Sequence, residues 1–177
     1  MAETEEAVRR FCDGDEEAFS QIVGRWERKI YNLAWRMLGN REDAQDVVQE
    51  TFLSVFKSAK SLRDPASFAT WVYRITLNHC RARWRDRQPA SDEQQEGLPA
   101  RGSGDRLEAR DLIRKALSGL SEDHRSAIIL KEYLGLSLEE LARVMECPLS
   151  TAKSRLYHGL RDVTRNLKRM GVKIGGH

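Results

Sequence analysis

Near the end of this 177-residue chain, the run Ser150-Thr151-Ala152-Lys153-Ser154-Arg155-Leu156-Tyr157-His158 sets hydroxyl, cationic and imidazole groups at helical spacing. If Leu149, Ala152, Leu156 and Leu160 turn toward a core, Ser150, Thr151, Lys153, Ser154, Arg155, Tyr157 and His158 lie on the opposite face. That face offers donors for phosphate oxygens and base edges, and an α-helix fits the DNA major groove. The chemistry is recognition of a polyanion. Charge distribution agrees. Residues 1–86 carry 14 basic and 14 acidic side chains, whereas from Pro148 onward there are seven Lys or Arg and one acid, Asp162. A basic end of this kind suits a nucleic-acid partner.

Positioning such a helix needs a support before it, and Ser137–Arg161 reads as a helix-turn-helix. Ser137 and Glu140 are spaced as a capping box, which satisfies two orphan amides at a helix start. Leu138, Leu141, Ala142 and Met145 form the buried face of a short first helix, with small Ala142 at the crossing. Pro148 prevents one continuous helix. Glu146 stands where the turn favours glycine, because positive φ penalises a side chain. Ahead of this motif, Ser121 is placed to cap a helix holding Ile128, Ile129, Leu130 and Tyr133, which Gly135 ends.

Helical periodicity also dominates the first half. After Asp13-Gly14-Asp15, Phe19, Ile22, Val23, Trp26, Ile30, Leu33 and Met37 recur on one face. Gly39 stops that helix and Asn40 caps the next. In that next helix Ala44, Val47, Val48, Thr51, Phe52, Val55, Phe56 and Ala59 form the apolar stripe, and Asp43, Asp46, Gln49 and Glu50 are left toward another face. By periodicity alone this is a solvated acidic face. Pro65 breaks the pattern, and a further helix is expected from about Ala66 to Arg85, with Phe68, Trp71, Val72, Ile75 and His79 inward. Trp71 suits a core position as well as an exposed one. Arg81, Arg83 and Arg85 alternate at its end, where they suit either a row along a duplex backbone or solvated charges favoured by the helix dipole.

The fold class is therefore all-α, with two small helical domains: residues 1–86 and residues 106–177. Residues 87–105, rich in Pro, Gly, Ser and Gln, bury too little to offset their ordering entropy and read as a flexible linker. No phosphate loop, metal cluster or nucleophile elbow occurs, and His79, His124, His158 and His177 are scattered. Neither catalysis nor a metal or other cofactor is expected. Cys12, Cys80 and Cys147 lack metal-ligand spacing and suit free thiols in a reducing cytoplasm. No stretch approaches the roughly 20 apolar residues that cross a bilayer, and MAETEEAVRR is too acidic and polar for a signal peptide. A one-component regulator with an N-terminal sensing domain accounts for residues 106–177 equally well, but gives no reason for the DAQDVVQETF and TWVYRITLN segments.

Those segments decide the matter by resemblance. IYNLAWRMLGNREDAQDVVQETFLSVF (Ile30–Phe56), SFATWVYRITLNHCRARWR (Ser67–Arg85) and the helix-turn-helix, in this order, resemble the extracytoplasmic-function (ECF) sigma factors over nearly the whole chain. The resemblance implies an alternative sigma factor that brings core RNA polymerase to promoter DNA. It implies that Asp43, Asp46, Gln49 and Glu50 face the polymerase. It further implies that Arg63, Asp64, Ser67, Trp71, Tyr73, Arg74, Asn78 and Arg81 read and open the −10 element, with Asn78 lining a pocket for a flipped base. Ser150, Thr151, Lys153, Ser154, Arg155 and His158 then read the −35 element. An anti-sigma protein, common in the family, is a further expected partner.

Overall fold

The computed structural model describes residues 2–58, 62, 64–86 and 112–172. They are helical almost throughout, without a strand among them, and the chain divides into two compact units, Met1–Gln95 and Glu96–His177. Residues 87–105, read above as a linker, lie outside the described residues, as do Ala59 and Arg63.

In the first unit α1 (Ala2–Cys12) precedes α2 (Glu16–Leu38), α3 (Arg41–Ser58) and α4 (Phe68–Asp86), which a 3₁₀ turn, Pro65–Ser67, introduces. Each boundary has a local cause. Gly14 takes φ 102°, and Asp15 caps α2 by accepting from the Glu17 and Ala18 amides. The Arg10 guanidinium, hydrogen-bonded to Asp15, holds that carboxyl below its ordinary value. Gly39 ends α2 in the left-handed conformation at φ 70°, and the Asn40 side chain accepts from the Asp43 amide to open α3.

The core follows the expected stripes. Ile22, Trp26, Ile30, Leu33 and Met37 of α2 meet Ala44, Val47, Val48, Thr51, Phe52 and Val55 of α3. Complete burial of a side chain such as Ile30 or Leu33 contributes roughly 1.5–3 kcal/mol. Phe56 departs from expectation. It is 47% exposed, and its ring sits 5.2 Å from Phe19 and 5.6 Å from Phe11 at the rim of the unit. Phe11 belongs to α1, which was not anticipated and which buries Ala7 and Val8 beside it.

In α4 the buried set is Phe68, Val72, Tyr73, Thr76, Leu77 and Cys80. Trp71, Ile75 and His79, expected inside, are half-buried. The helix packs against both α2 and α3, so its core face is wider than one stripe and is turned toward Tyr73 and Thr76. The Thr76 hydroxyl donates to the Val72 carbonyl at 2.8 Å, which permits its burial.

The second unit contains α5 (residues 112–118), α6 (Glu122–Ile128) running into a π-helical turn (Ile129–Tyr133), α7 (Leu138–Val144) and α8 (Leu149–Arg169). Ser121 caps α6 by accepting from the His124 amide. Arg125, only 4% exposed, donates to the Leu117 and Ser118 carbonyls at 3.0 and 2.7 Å. A cation there satisfies orphan acceptors and complements the negative end of a helix. Asn166 of α8 donates to the Ala116 carbonyl at 3.0 Å and joins the two helices.

Gly159 lets α8 lie close on α6. A Cβ at that position would meet Ile128 Cδ1 at 3.0 Å and the His124 carbonyl oxygen at 3.1 Å. Gly24 of α2, by contrast, has nothing within 4 Å of a Cβ. The same substitution should therefore act with opposite signs. Gly159→Ala is expected to destabilise by about 1–2 kcal/mol, overpacking outweighing helix propensity, and Gly24→Ala to stabilise by about 0.5–1 kcal/mol. Urea unfolding of the two variants measures both.

Candidate nucleic-acid interface

The helix-turn-helix is built as its residue types require. Ser137 donates its amide to Glu140 Oε2 at 2.7 Å and accepts from the Glu140 amide at 3.1 Å. This reciprocal cap, led by the Ser137 amide, holds the Glu140 carboxyl below its ordinary value. α7 closes in a Schellman arrangement, with Cys147 N donating to Ala142 O and Glu146 N to Arg143 O. Glu146 takes the left-handed conformation, φ 51°, and is the non-glycine residue that does so among the described residues. Pro148 then starts α8.

On α8, Ala152, Leu156 and Gly159 are buried. Leu149, expected inside, is 37% exposed: it occupies the first turn, ahead of the packed stretch. Ser150, Lys153, Ser154, Tyr157, His158 and Arg161 are exposed at spacings of three and four residues, so they share one face. Thr151 and Arg155 lie at its edge, half-buried. Arg155 is paired with Asp123 of α6 at 2.7 Å. The His158 ring lies 6.1 Å from that of His124, whose Nδ1 is 3.2 Å from Asp162. Arg161 belongs to the exposed face but not to the expected set; extending the same spacing one more turn would have included it.

On α4, Trp71, Arg74, Asn78 and Arg81 recur at three- and four-residue steps along the side opposite the buried set, and Asn78 is exposed near the centre. Tyr73 does not join them. It is 7% exposed and packs edge-on against Trp26 at 5.4 Å, so the structure assigns it to the core. Trp71 is half-buried with its ring 5.9 Å from Phe68. At the foot of the helix, Asp64 accepts from the Ala66 amide at 3.0 Å and from the Ser67 hydroxyl at 2.8 Å. Asp64 and Ser67 thus shape the turn in which they sit.

Three of the four α3 residues expected to face the polymerase cluster together. Asp43, Asp46 and Glu50 turn toward the end of α4, where Arg83 donates to them at 3.4, 2.9 and 2.7 Å. His79 Nδ1 lies 3.3 Å from Glu50, and its Nε2 lies 3.0 Å from the Ser54 hydroxyl. Gln49 is exposed and apart from this cluster. Glu50 first, and Asp46 after it, hold the Arg83 guanidinium above its ordinary value. The expectation that Arg81, Arg83 and Arg85 form one row is corrected. Two-residue steps on a helix rotate by about 200°, so Arg83 points toward α3, away from the direction of Arg81 and Arg85.

Sigma-70 region 2 matches residues 22–90, and Sigma-70, region 4 matches residues 110–163. The chain is 33% identical to the RNA polymerase sigma-H factor of Pseudomonas aeruginosa over 93% of each chain. It is 34% identical to the ECF RNA polymerase sigma-E factor of Escherichia coli over 91% of this chain and 92% of that one. The chain belongs to the ECF sigma factors.

Solved structures agree. The sigma factor RpoE in complex with the anti-sigma factor NepR from Bartonella quintana matches with TM-score 0.72 and 26% identity, over 85% of this chain and 96% of that one. CnrH, in complex with the cytosolic domain of CnrY, shares the fold with TM-score 0.75 and 24% identity, over 94% and 98%. This ECF sigma factor is accordingly an alternative sigma factor for transcription initiation, and not an enzyme. No helix among its described residues is long and apolar enough to cross a membrane.

The turn of this sigma factor's helix-turn-helix holds Glu146 in the left-handed conformation, which costs a side-chain residue roughly 1 kcal/mol or more. Glu146→Gly is expected to stabilise the second unit by about 1 kcal/mol, read as a higher midpoint in thermal unfolding.

Proposed function

We propose that this sigma factor brings core RNA polymerase to promoters with two elements, its two units doing separate work. The observation that carries the reading is the outward face of α4, where exposed Asn78 is flanked by Trp71, Arg74 and Arg81. Opening a duplex costs roughly 1.4 kcal/mol per stacked step. An aromatic face, an amide and guanidinium groups can offset that cost on the freed strand by stacking, edge hydrogen bonds and phosphate pairing. The first unit is thus the reader of the −10 element, with Asp64 and Ser67 forming the adjoining turn. Asp43, Asp46 and Glu50 of α3 form the surface toward core polymerase, with Gln49 exposed on the same helix outside their cluster.

The second unit reads the −35 duplex through α8. Ser150, Lys153, Ser154 and His158 face the groove, Thr151 and Arg155 border it, and Tyr157 and Arg161 extend it. Good major-groove contacts contribute roughly 1–3 kcal/mol each, whereas phosphate contacts weaken as salt rises. The solved relatives named above include a sigma factor bound to an anti-sigma factor. An inhibitory protein partner of that kind is proposed for this chain too.

The division of labour predicts separable losses. In the holoenzyme, Asn78→Ala should weaken binding to a single-stranded −10 oligonucleotide and leave −35 duplex binding intact, while Lys153→Ala should do the reverse. Each loss should be about five- to a hundredfold. Fluorescence anisotropy on the two DNA fragments, selected from a random library, measures both. An Asn78→Ala protein that lost only duplex affinity would contradict the assignment.

A further inference from the structure

The acidic face of α3 already holds a cation from its own chain. The guanidinium of Arg83 reaches Asp43, Asp46 and Glu50 at 3.4, 2.9 and 2.7 Å, and the three carboxylates lie at i, i+3 and i+7 along one side of the helix. Arg83 is not needed to fill the core. The last buried residue of α4 is Cys80, and Arg83 lies beyond it, half-buried over the carboxylates. Asp46 and Glu50 remain 50% and 38% exposed at their side chains, so the cluster is open to a partner approaching from solvent.

We propose that Arg83 is a built-in competitor for core polymerase: it occupies the acidic face of α3 and lowers that face's affinity for a cationic partner. The proposal rests on reading that face as the surface toward polymerase. The sign follows from charge along either route. If Arg83 stays in place during binding, its positive charge repels an incoming Lys or Arg at short range. If it is displaced, three charge-assisted contacts are broken before the new ones form. Both routes oppose a basic partner, the first by repulsion and the second by the cost of displacement. The effect is a higher threshold for polymerase capture, set by a residue on the same helix as Asn78.

The test is titration of core RNA polymerase with the full-length chain and its variants at low and high salt. Arg83→Gln is expected to tighten binding about three- to tenfold and to steepen its salt dependence, because one opposing charge is gone. Arg83→Lys should restore a wild-type salt dependence, which a purely structural role in packing α4 would not produce. Asp46→Asn with Glu50→Gln should weaken binding, and on that background Arg83→Gln should tighten it by less than in the otherwise unaltered chain, because only the Asp43 pair and the Arg83 charge itself remain to be removed. If the carboxylate variant binds normally, the polymerase-facing reading is wrong and the proposal falls with it. If the carboxylate variant weakens binding but Arg83→Gln, folded by circular dichroism, binds no tighter, the proposal alone is overturned. Should Arg83→Gln not fold, Arg83→Met, which fills the same space without charge, decides by the same criteria.

Discussion

The position of Trp26 governs the first unit. Its ring is 2% exposed and meets Phe68 and Tyr73 of α4 edge-on, each at 5.4 Å. Two aromatic contacts from one helix, five residues apart, leave α4 one rotation about its axis, because turning it would separate at least one ring from Trp26. Edge-to-face pairs of this kind contribute about 0.5–1.5 kcal/mol beyond burial alone. Their larger consequence is directional. With Tyr73 and Thr76 inside, Asn78 is carried to the middle of the outward face, and Arg83 is carried toward α3. Both surfaces proposed to be functional are therefore set by the same packing contact.

The second unit obeys an equivalent constraint with smaller parts. Gly159 allows α8 to approach the His124 backbone, and Asn166 ties it to α5. The exposed side of α8 is what this packing leaves uncovered. In both units, charged groups near the proposed functional faces have partners within the chain. Arg83 is held by three carboxylates and Arg155 by Asp123, while His124 sits against Asp162. Exposed pairs of this type add little stability, typically up to about 1 kcal/mol. Under the proposed function, a nucleic-acid or protein partner must displace or share them.

Much of this was legible in the residues, for physical reasons that differ by element. The caps at Asn40, Ser121 and Ser137 were readable because a side chain bonds its own neighbourhood. The stripes of α2 and α3 were readable because each faces one broad core at regular spacing. The strained turn at Glu146 was readable from the residue type that usually occupies such a place. What escaped involves contacts distant in sequence. The rotation of α4 depends on Trp26 in another helix, so spacing within α4 alone puts Tyr73 outside and His79 inside. Arg83 was grouped with Arg81 and Arg85 by linear alternation, although its spacing from Val72 and Thr76 follows the buried side. α1 buries only Ala7, Val8 and Phe11, a pattern too short to stand out in an acidic segment.

In the proposed function, this chain confers promoter specificity on a polymerase that has none without it. Run-off transcription with purified core RNA polymerase and a randomised promoter library measures that directly. Core alone should give no specific transcripts. With the chain added, discrete transcripts should arise from templates that share two separated sequence elements. Absence of specific transcripts with the chain present, or activity only at promoters already served by another sigma factor, would contradict it.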